Sequence, residues 1–155
     1  MKGLIRFVAT LGPVGYAPVA PATVGSLVTA AIGWFLPAPA PLVVAMALVI
    51  GTALAVWVCG DAEKQLGHDA HPIVADEVIG QSLALIGAPH SLIAFGAAFV
   101  LFRVFDVWKP LGAYQAQRLP GGLGVVADDV IAGITSCVTL NLLLWGVARA
   151  GLSIA

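Results

Sequence analysis

The sequence predicts an all-α fold, an integral membrane bundle with about three to five embedded helices, some of them short or re-entrant. Hydrophobic residues make up 60% of the 155 residues and charged residues only 10%. Soluble domains carry about a quarter charged residues, so these few charges cannot cover a water-facing surface. The length allows a single domain over residues 1–155. A soluble, unusually apolar helical protein is the alternative.

Charge and cysteine content exclude several classes of protein. The formal net charge of −1 argues against nucleic acid as a partner, because such binding needs a basic face. Cys59 and Cys137 lie inside apolar runs without metal-ligand spacing, which predicts buried structural cysteines. The apolar run Phe7–Leu11 is too short for a signal peptide, so we expect the N-terminus to be retained.

Apolar segments define the predicted helices. After a loop rich in Gly and Pro at 12–21, the first segment runs to about Leu36, ahead of a turn at 37–41. Leu42–Cys59 and Val130–Ala148 contain eighteen and nineteen uncharged residues, enough to cross a bilayer. A Gly-Ala-Pro break divides Val78–Phe102 into two pieces too short for a full span. These pieces form either a re-entrant hairpin or packed short helices.

Basic residues predict the sidedness. If the first two segments form a hairpin and Val78–Phe102 returns to its starting side, six basic residues share one side and Arg149 lies opposite. The six are Lys2, Arg6, Lys64, Arg103, Lys109 and Arg118. This bias predicts that their side, which also carries every acidic residue, is cytoplasmic.

Three polar clusters interrupt this apolar sequence. They are Asp69 with Asp76 and Glu77; the row Arg103, Asp106 and Lys109; and the pair Asp128–Asp129 after a glycine-rich segment. Each cluster has a structural alternative. Asp76 and Asp128 directly precede apolar runs, where an acidic residue caps a helix, and the row has the i, i+3 spacing of a salt-bridge ladder. A cap needs one carboxylate, however, and each acidic site supplies two.

Carboxylates without cysteine ligands suit a hard cation such as Mg²⁺, and neighbouring Arg and Lys side chains suit phosphate. Signatures of covalent phosphatases are absent, since neither cysteine is followed six positions later by arginine and no DxDxT sequence occurs. The P-loop signature is also absent. The clusters therefore favour phosphate-ester hydrolysis by a metal-activated water.

Four segments carry a family resemblance. They are VAPATVGSL (19–27), HDAHPIVADEVIGQ (68–81), FRVFDVWKP (102–110) and LPGGLGVVADDVIAG (119–133). With them, the chain resembles the phosphatidylglycerophosphatase A family. The resemblance implies an integral membrane, Mg²⁺-dependent phosphatase that converts phosphatidylglycerophosphate, a phospholipid, into phosphatidylglycerol. We expect it in the bacterial cytoplasmic (inner) membrane, with the active site facing the cytoplasm.

The resemblance also implies site residues by position. The polar motif residues are Thr23, Asp69, Asp76, Glu77, Arg103, Asp106, Lys109, Asp128 and Asp129. We expect metal binding by Asp76, Glu77, Asp128 and Asp129, with Asp69 or Asp106 completing the shell. We expect Thr23, Arg103 and Lys109 to bind phosphate. The catalytic base stays open among the carboxylates, with His68 and His71 as weaker candidates.

Departures from the family pattern are few. Ala22 stands where glycine is usual, and Leu111–Gly112 where a further proline is common. Asp61 and Glu63 lie outside the motifs, so we expect them on the solvated surface. Two other functions stay open: a phosphatase for another lipid phosphate, and a small non-enzymatic transporter or scaffold. A transporter would need acidic residues near the bilayer midplane, whereas the acidic residues of this chain lie at the ends of apolar runs.

Overall fold

The computed structural model describes residues 2–36, 40–67 and 70–152, and these residues form α-helices and no strand. The helices are α1 (Lys2–Ala9), α2 (Pro21–Phe35), α3 (Pro41–Leu66), α4 (Ala75–Ala84), α5 (Leu92–Trp108), α6 (Ala113–Ala116) and α7 (Gly122–Arg149), with a 3₁₀ turn at Val14–Tyr16. The predicted all-α fold is confirmed. Most of the turn predicted at 37–41 lies outside the described residues.

Two described helices, α3 and α7, are long and apolar enough to cross a membrane, with 26 and 28 residues. Large apolar side chains on their outer faces are exposed, among them Val49 at 72% and Leu142 at 62%. Water is a poor solvent for such faces, whereas lipid is a good one. The architecture is therefore that of a helical membrane bundle.

α3 extends beyond its apolar segment. The uncharged run Leu42–Cys59 and the polar sequence after it predict that this helix ends at Gly60. That prediction is wrong, because the helix continues to Leu66. Ala62 is fully buried in the core, and Lys64 Nζ lies 3.4 Å from Asp61 Oδ1 one helical turn away. Burial on one face and a polar contact on the other thus continue the helix into the polar sequence.

α7 begins earlier than its uncharged segment suggests. The sequence from Tyr114 to Gly124 predicts a loop, but its first residues lie in α6 and its last three, from Gly122 to Gly124, lie in the first turn of α7. A Cβ on Gly122 would lie 1.9 Å from the carbonyl oxygen of Val56 in α3, so glycine is needed there for close helix packing. Asp128 therefore lies in the second turn of α7, and the prediction that it caps this helix is wrong.

The broken segment Val78–Phe102 forms two helices, as its sequence predicts. The connection between α4 and α5 packs against α7, where Asn141 Nδ2 donates a hydrogen bond of 2.9 Å to the carbonyl oxygen of Ile86. Asn141 lies eight residues before the last residue of α7, Arg149. At 1.5 Å per residue, the hairpin turns about 12 Å short of the end of α7.

Backbone contacts fix how α4 and α7 cross. A Cβ on Gly133 would lie 2.4 Å from the carbonyl oxygen of Gly80, and a Cβ on Gly80 would lie 2.9 Å from that of Asp129. Gly80 also meets the buried ring of Phe102 in α5. Small residues at these points bring three helices together directly beside the acidic residues of α4 and α7.

The two cysteines differ in their surroundings. Cys59 is fully buried among aliphatic side chains of α1, α3, α4 and α7, as predicted. Cys137 is only partly buried, and its thiol donates a hydrogen bond of 3.4 Å to the carbonyl oxygen of Ile86. The prediction of full burial is therefore wrong for Cys137, because the helix hairpin covers only one side of it.

Candidate active site

A cavity of about 350 Å³ opens at the end of the bundle where α7 begins. Its charged lining consists of Asp76, Glu77, Asp106, Asp128 and Asp129, together with Arg103 and Lys109. The chain has only eight acidic residues, so this one cavity collects most of its negative charge. Solvation by water cannot explain the collection, because four of the five carboxylates are buried.

Three helices supply these charged side chains, and a fourth helix, α2, adds an uncharged one. Asp76 and Glu77 lie in the first turn of α4, where the helix dipole favours negative charge. Arg103 and Asp106 lie one turn apart on α5, and Lys109 follows its last residue. The acidic pair of α7 lies in its second turn, and Thr23 lines the cavity from the first turn of α2.

Three carboxylates converge. One oxygen from each of Glu77, Asp106 and Asp129 lies within 4.8 Å of the other two. Like charges this close repel strongly unless a cation or protons neutralise them. Within the described part of the chain, Asp129 Oδ2 is buried and has no hydrogen-bond partner. An all-oxygen donor set with such an oxygen fits a hard divalent cation.

Arg103 holds two of these three carboxylates in place. Its Nη1 donates a hydrogen bond of 2.6 Å to Glu77 Oε2, and its Nη2 lies 3.1 Å from Asp106 Oδ2. The Ser26 hydroxyl donates to the same Glu77 oxygen at 2.8 Å and accepts from Arg103 Nη1 at 3.2 Å. Glu77 is therefore fixed by α2 and α5 as well as by its own helix.

Lys109 holds the fourth carboxylate. Its ammonium group donates a short hydrogen bond to Asp128 and lies 4.0 Å from Asp106 Oδ1. Asp128 thus faces the ammonium group of Lys109, whereas its neighbour Asp129 faces the carboxylates of Glu77 and Asp106. The predicted i, i+3 salt-bridge ladder of Arg103, Asp106 and Lys109 is present. The arginine and the lysine also contact carboxylates on other helices, however.

Burial shifts the pKa of Glu77 strongly. Loss of solvation raises its pKa from the ordinary value of 4.5 to about 7, with the positive charge of Arg103 opposing this rise and Asp106 adding to it. For Lys109, burial lowers the pKa, but the hydrogen bond and charge of Asp128 outweigh burial and the net shift is upward. Lys109 therefore stays charged, while Glu77 binds its proton more tightly than an exposed glutamic acid does.

The predicted site residues are largely brought together. Asp76 lines the cavity, and its Oδ1 accepts a hydrogen bond of 2.9 Å from the Glu77 backbone N–H; the N-cap residue of α4 is Val74, two positions before Asp76. His71 lies exposed at the rim. Asp69 and His68 lie outside the described residues. The metal-binding and catalytic roles stay predictions.

Two buried polar residues near the cluster, Ser26 and Gln81, are not among the predicted site residues. Ser26 follows Thr23 by three positions on the same face of α2, and this spacing within a recognised motif was the available signal. Gln81 is fully buried one helical turn beyond Glu77, and its amide has no hydrogen-bond partner in the described part of the chain. A polar residue in an otherwise uncharged run was the corresponding signal.

Fold and site together define a helical membrane protein with a carboxylate cavity balanced by arginine and lysine, a class suited to metal-assisted phosphate chemistry. The phosphatidylglycerophosphatase A family matches residues 7–144. The chain belongs to this family, and it is therefore a phosphatase.

Three relatives show the extent of the similarity. A Bacteroides thetaiotaomicron protein, provisionally named phosphatidylinositol-3-phosphatase, is 35% identical over 139 residues, which cover 84% of this chain and 87% of that protein. Phosphatidylglycerophosphatase A of Escherichia coli is 35% identical, covering 79% of this chain and 73% of its own. Phosphatidylglycerophosphatase A of Haemophilus influenzae is 34% identical, covering 78% and 77%. No solved structure matches this chain.

Proposed function

We propose that this protein hydrolyses phosphatidylglycerophosphate to phosphatidylglycerol and inorganic phosphate with Mg²⁺, at the cytoplasmic face of the inner membrane. The observation that carries the proposal is the convergence of Glu77, Asp106 and Asp129 within 4.8 Å, beside Arg103 and Lys109. The names of two relatives support the choice of substrate.

Glu77, Asp106 and Asp129 would hold the cation, with Asp76 and Asp128 lining the same cavity as further candidate ligands. Bound Mg²⁺ would withdraw negative charge from a phosphoryl oxygen and lower the pKa of a bound water. The remaining chemistry belongs to the protein. A water oxygen bonds to phosphorus, and a cavity carboxylate takes up one proton of the water. The phosphorus–oxygen ester bond to glycerol breaks, and the resulting carboxylic acid returns its proton to the glycerol oxygen, which leaves as the alcohol.

Arg103 and Lys109 would bind the remaining phosphate oxygens. Arginine offers five N–H donors and lysine three, more than their contacts to Glu77, Asp106 and Asp128 use. Both side chains are already oriented by those carboxylates, so little side-chain entropy is lost when phosphate enters. The same contacts hold the two basic side chains inside a cavity that would otherwise be strongly negative.

A second substrate has a specific observation behind it, the name of the Bacteroides thetaiotaomicron relative. The test uses purified full-length protein in detergent micelles with phosphatidylglycerophosphate or phosphatidylinositol 3-phosphate. We expect phosphate release from the first lipid with Mg²⁺, and loss of release with chelator. Faster release from the second lipid would assign that substrate instead, and release from neither would refute the proposal.

A further inference from the structure

The exposed part of the cavity lining contains both polar and apolar side chains. Among the described residues that line the cavity, three are exposed: Ala20, His71 and Val107. His71, on the segment before α4, is polar. Ala20, just before α2, and Val107, near the end of α5, are apolar. A ligand that fills the cavity is therefore within reach of exposed residues of both kinds.

Val107 begins an apolar stripe along α5. Val107, Val104 and Val100 are exposed by 76%, 50% and 56%, and their spacing of three and four residues places them on one helix face. We name these three residues the valine stripe. Gly96 continues the same face, and a Cβ there would meet nothing within 4 Å, so the face stays open beyond Val100.

The direction of the valine stripe relates it to the cavity. α5 runs toward the cavity, so the stripe leads away from the mouth and toward the connection between α4 and α5. At 1.5 Å per residue, Val107 and Val100 are separated by about 10 Å along the axis. Exposed residues of α3 or α7, such as Val49 and Leu142, do not line the cavity. This continuity distinguishes the valine stripe from the exposed apolar surfaces of α3 and α7.

We infer that the valine stripe is the acyl-chain subsite of the enzyme. This inference rests on the proposed function, in which the phosphate of a lipid occupies the cavity. The glycerol backbone then lies over Val107, and a fatty acyl chain follows Val104 and Val100 along α5. Burial of methylene groups against the stripe favours lipid phosphates over water-soluble phosphate esters with the same headgroup.

Kinetics on two substrates test the subsite. Val104→Asn is compared with Val138→Asn on α7, a control that is exposed by 53% and does not line the cavity. For long-chain phosphatidylglycerophosphate in mixed micelles, we expect Val104→Asn to raise KM about tenfold, from the lost burial of one aliphatic side chain, with kcat unchanged. For the dibutyryl substrate we expect no change. Equal KM values for both variants on the long-chain lipid would overturn the inference.

A binding experiment separates this inference from the proposed function. A photoreactive residue at position 104 or 138 is crosslinked to labelled lipid, with unlabelled phosphatidylglycerophosphate or phosphatidylglycerol as competitor. We expect phosphatidylglycerophosphate, but not phosphatidylglycerol, to reduce crosslinking, and only at position 104. This outcome in a protein that releases no phosphate would leave the subsite standing and refute the activity. Phosphate release without such competition would refute the subsite and leave the activity standing.

Discussion

Glu77, Asp106 and Asp129 place three carboxylates in a space where Arg103 supplies the nearest positive charge. Of these three carboxylates, the guanidinium contacts those of Glu77 and Asp106, and Asp129 Oδ2 stays buried without a hydrogen-bond partner in the described part of the chain. A buried, uncompensated carboxylate destabilises the folded protein. At the residue scale, the protein therefore maintains a costly arrangement that a bound cation would relieve.

Asp129→Asn should abolish cation binding without weakening the fold. We expect phosphate release to fall by more than about 100-fold, because outer-shell changes alone reach that size. The melting temperature of the metal-free protein should stay the same or rise, because a buried repelling charge is removed. Activity against Mg²⁺ concentration and thermal unfolding check the two parts. Asp61→Asn, outside the cavity, serves as control, and a fall in melting temperature matching the activity loss would indicate a structural role instead.

Glu77 should make both stability and cation affinity depend on pH. Burial raises the pKa of Glu77 from 4.5 to about 7, so the metal-free folded state binds its proton more tightly than the unfolded state. This stabilising contribution is fully present below about pH 4.5 and is lost as pH rises through 7. Mg²⁺ must displace the proton, so its apparent affinity should fall up to about tenfold per pH unit as pH drops below 7.

Thermal unfolding and Mg²⁺ titration between pH 5 and pH 8 measure these two effects. Glu77→Gln, which cannot titrate, should remove the stability difference between those pH values that comes from this group. Wild-type and Glu77→Gln protein with the same pH dependence of unfolding would contradict the assignment to Glu77.

At the scale of helices, the crossing of α4 and α7 determines where the acidic residues meet. The crossing has glycine on both helices, with Gly80 facing Gly133. The backbone carbonyl of Asp129 is part of this contact, so the separation of the helices directly sets the distance between Glu77 and Asp129. Ridges of larger side chains would hold the two helices farther apart.

Gly133→Ala should therefore lower both stability and activity. The added Cβ would lie 2.4 Å from the carbonyl oxygen of Gly80, and relieving this contact should cost about 1–3 kcal/mol of unfolding free energy. Gly146→Ala, in the same helix but with nothing within 4 Å of the added Cβ, should be neutral or stabilise by about 0.5–1 kcal/mol. Thermal unfolding and phosphate release compare the two. Equal effects would show that the crossing does not depend on glycine.

At the scale of the whole molecule, the bundle has one charged end. α3 ends and α7 begins there, since Gly60 meets the backbone of Gly122. Lys64 and Arg118 lie near those helix ends, and Arg149 lies at the opposite end of α7. In a bilayer, this asymmetry predicts that the charged end faces the cytoplasm.

Cysteine labelling tests that orientation. In a Cys137→Ser background, because Cys137 is only partly buried, single cysteines at positions 64 and 118 should both react with an impermeant reagent from the cytoplasmic side. A cysteine at position 149 should react from the other side. Reaction of positions 64 and 118 from opposite sides would contradict the arrangement of α3 and α7.

Much of the fold follows from composition and pattern. Long uncharged runs predict α3 and α7, and the Gly-Ala-Pro break predicts the division between α4 and α5. The ends of helices are harder to predict from the sequence, because a helix can continue after the uninterrupted apolar run has ended. α3 continues into polar sequence because Ala62 is buried, and α7 begins at Gly122 because its backbone touches Val56. Such contacts link residues distant in the chain, and no local pattern reports them.

The sequence alone determined which residue types the site contains. Because this chain has few charged residues, carboxylates, arginine and lysine occur together only at the ends of apolar helices. The tertiary structure decided which of them converge. Glu77, Asp106 and Asp129 lie on three helices, and only the crossing of those helices brings their oxygens within 4.8 Å. It also separated the adjacent pair: successive residues on a helix point about 100° apart, so Asp128 meets Lys109 while Asp129 meets the other carboxylates.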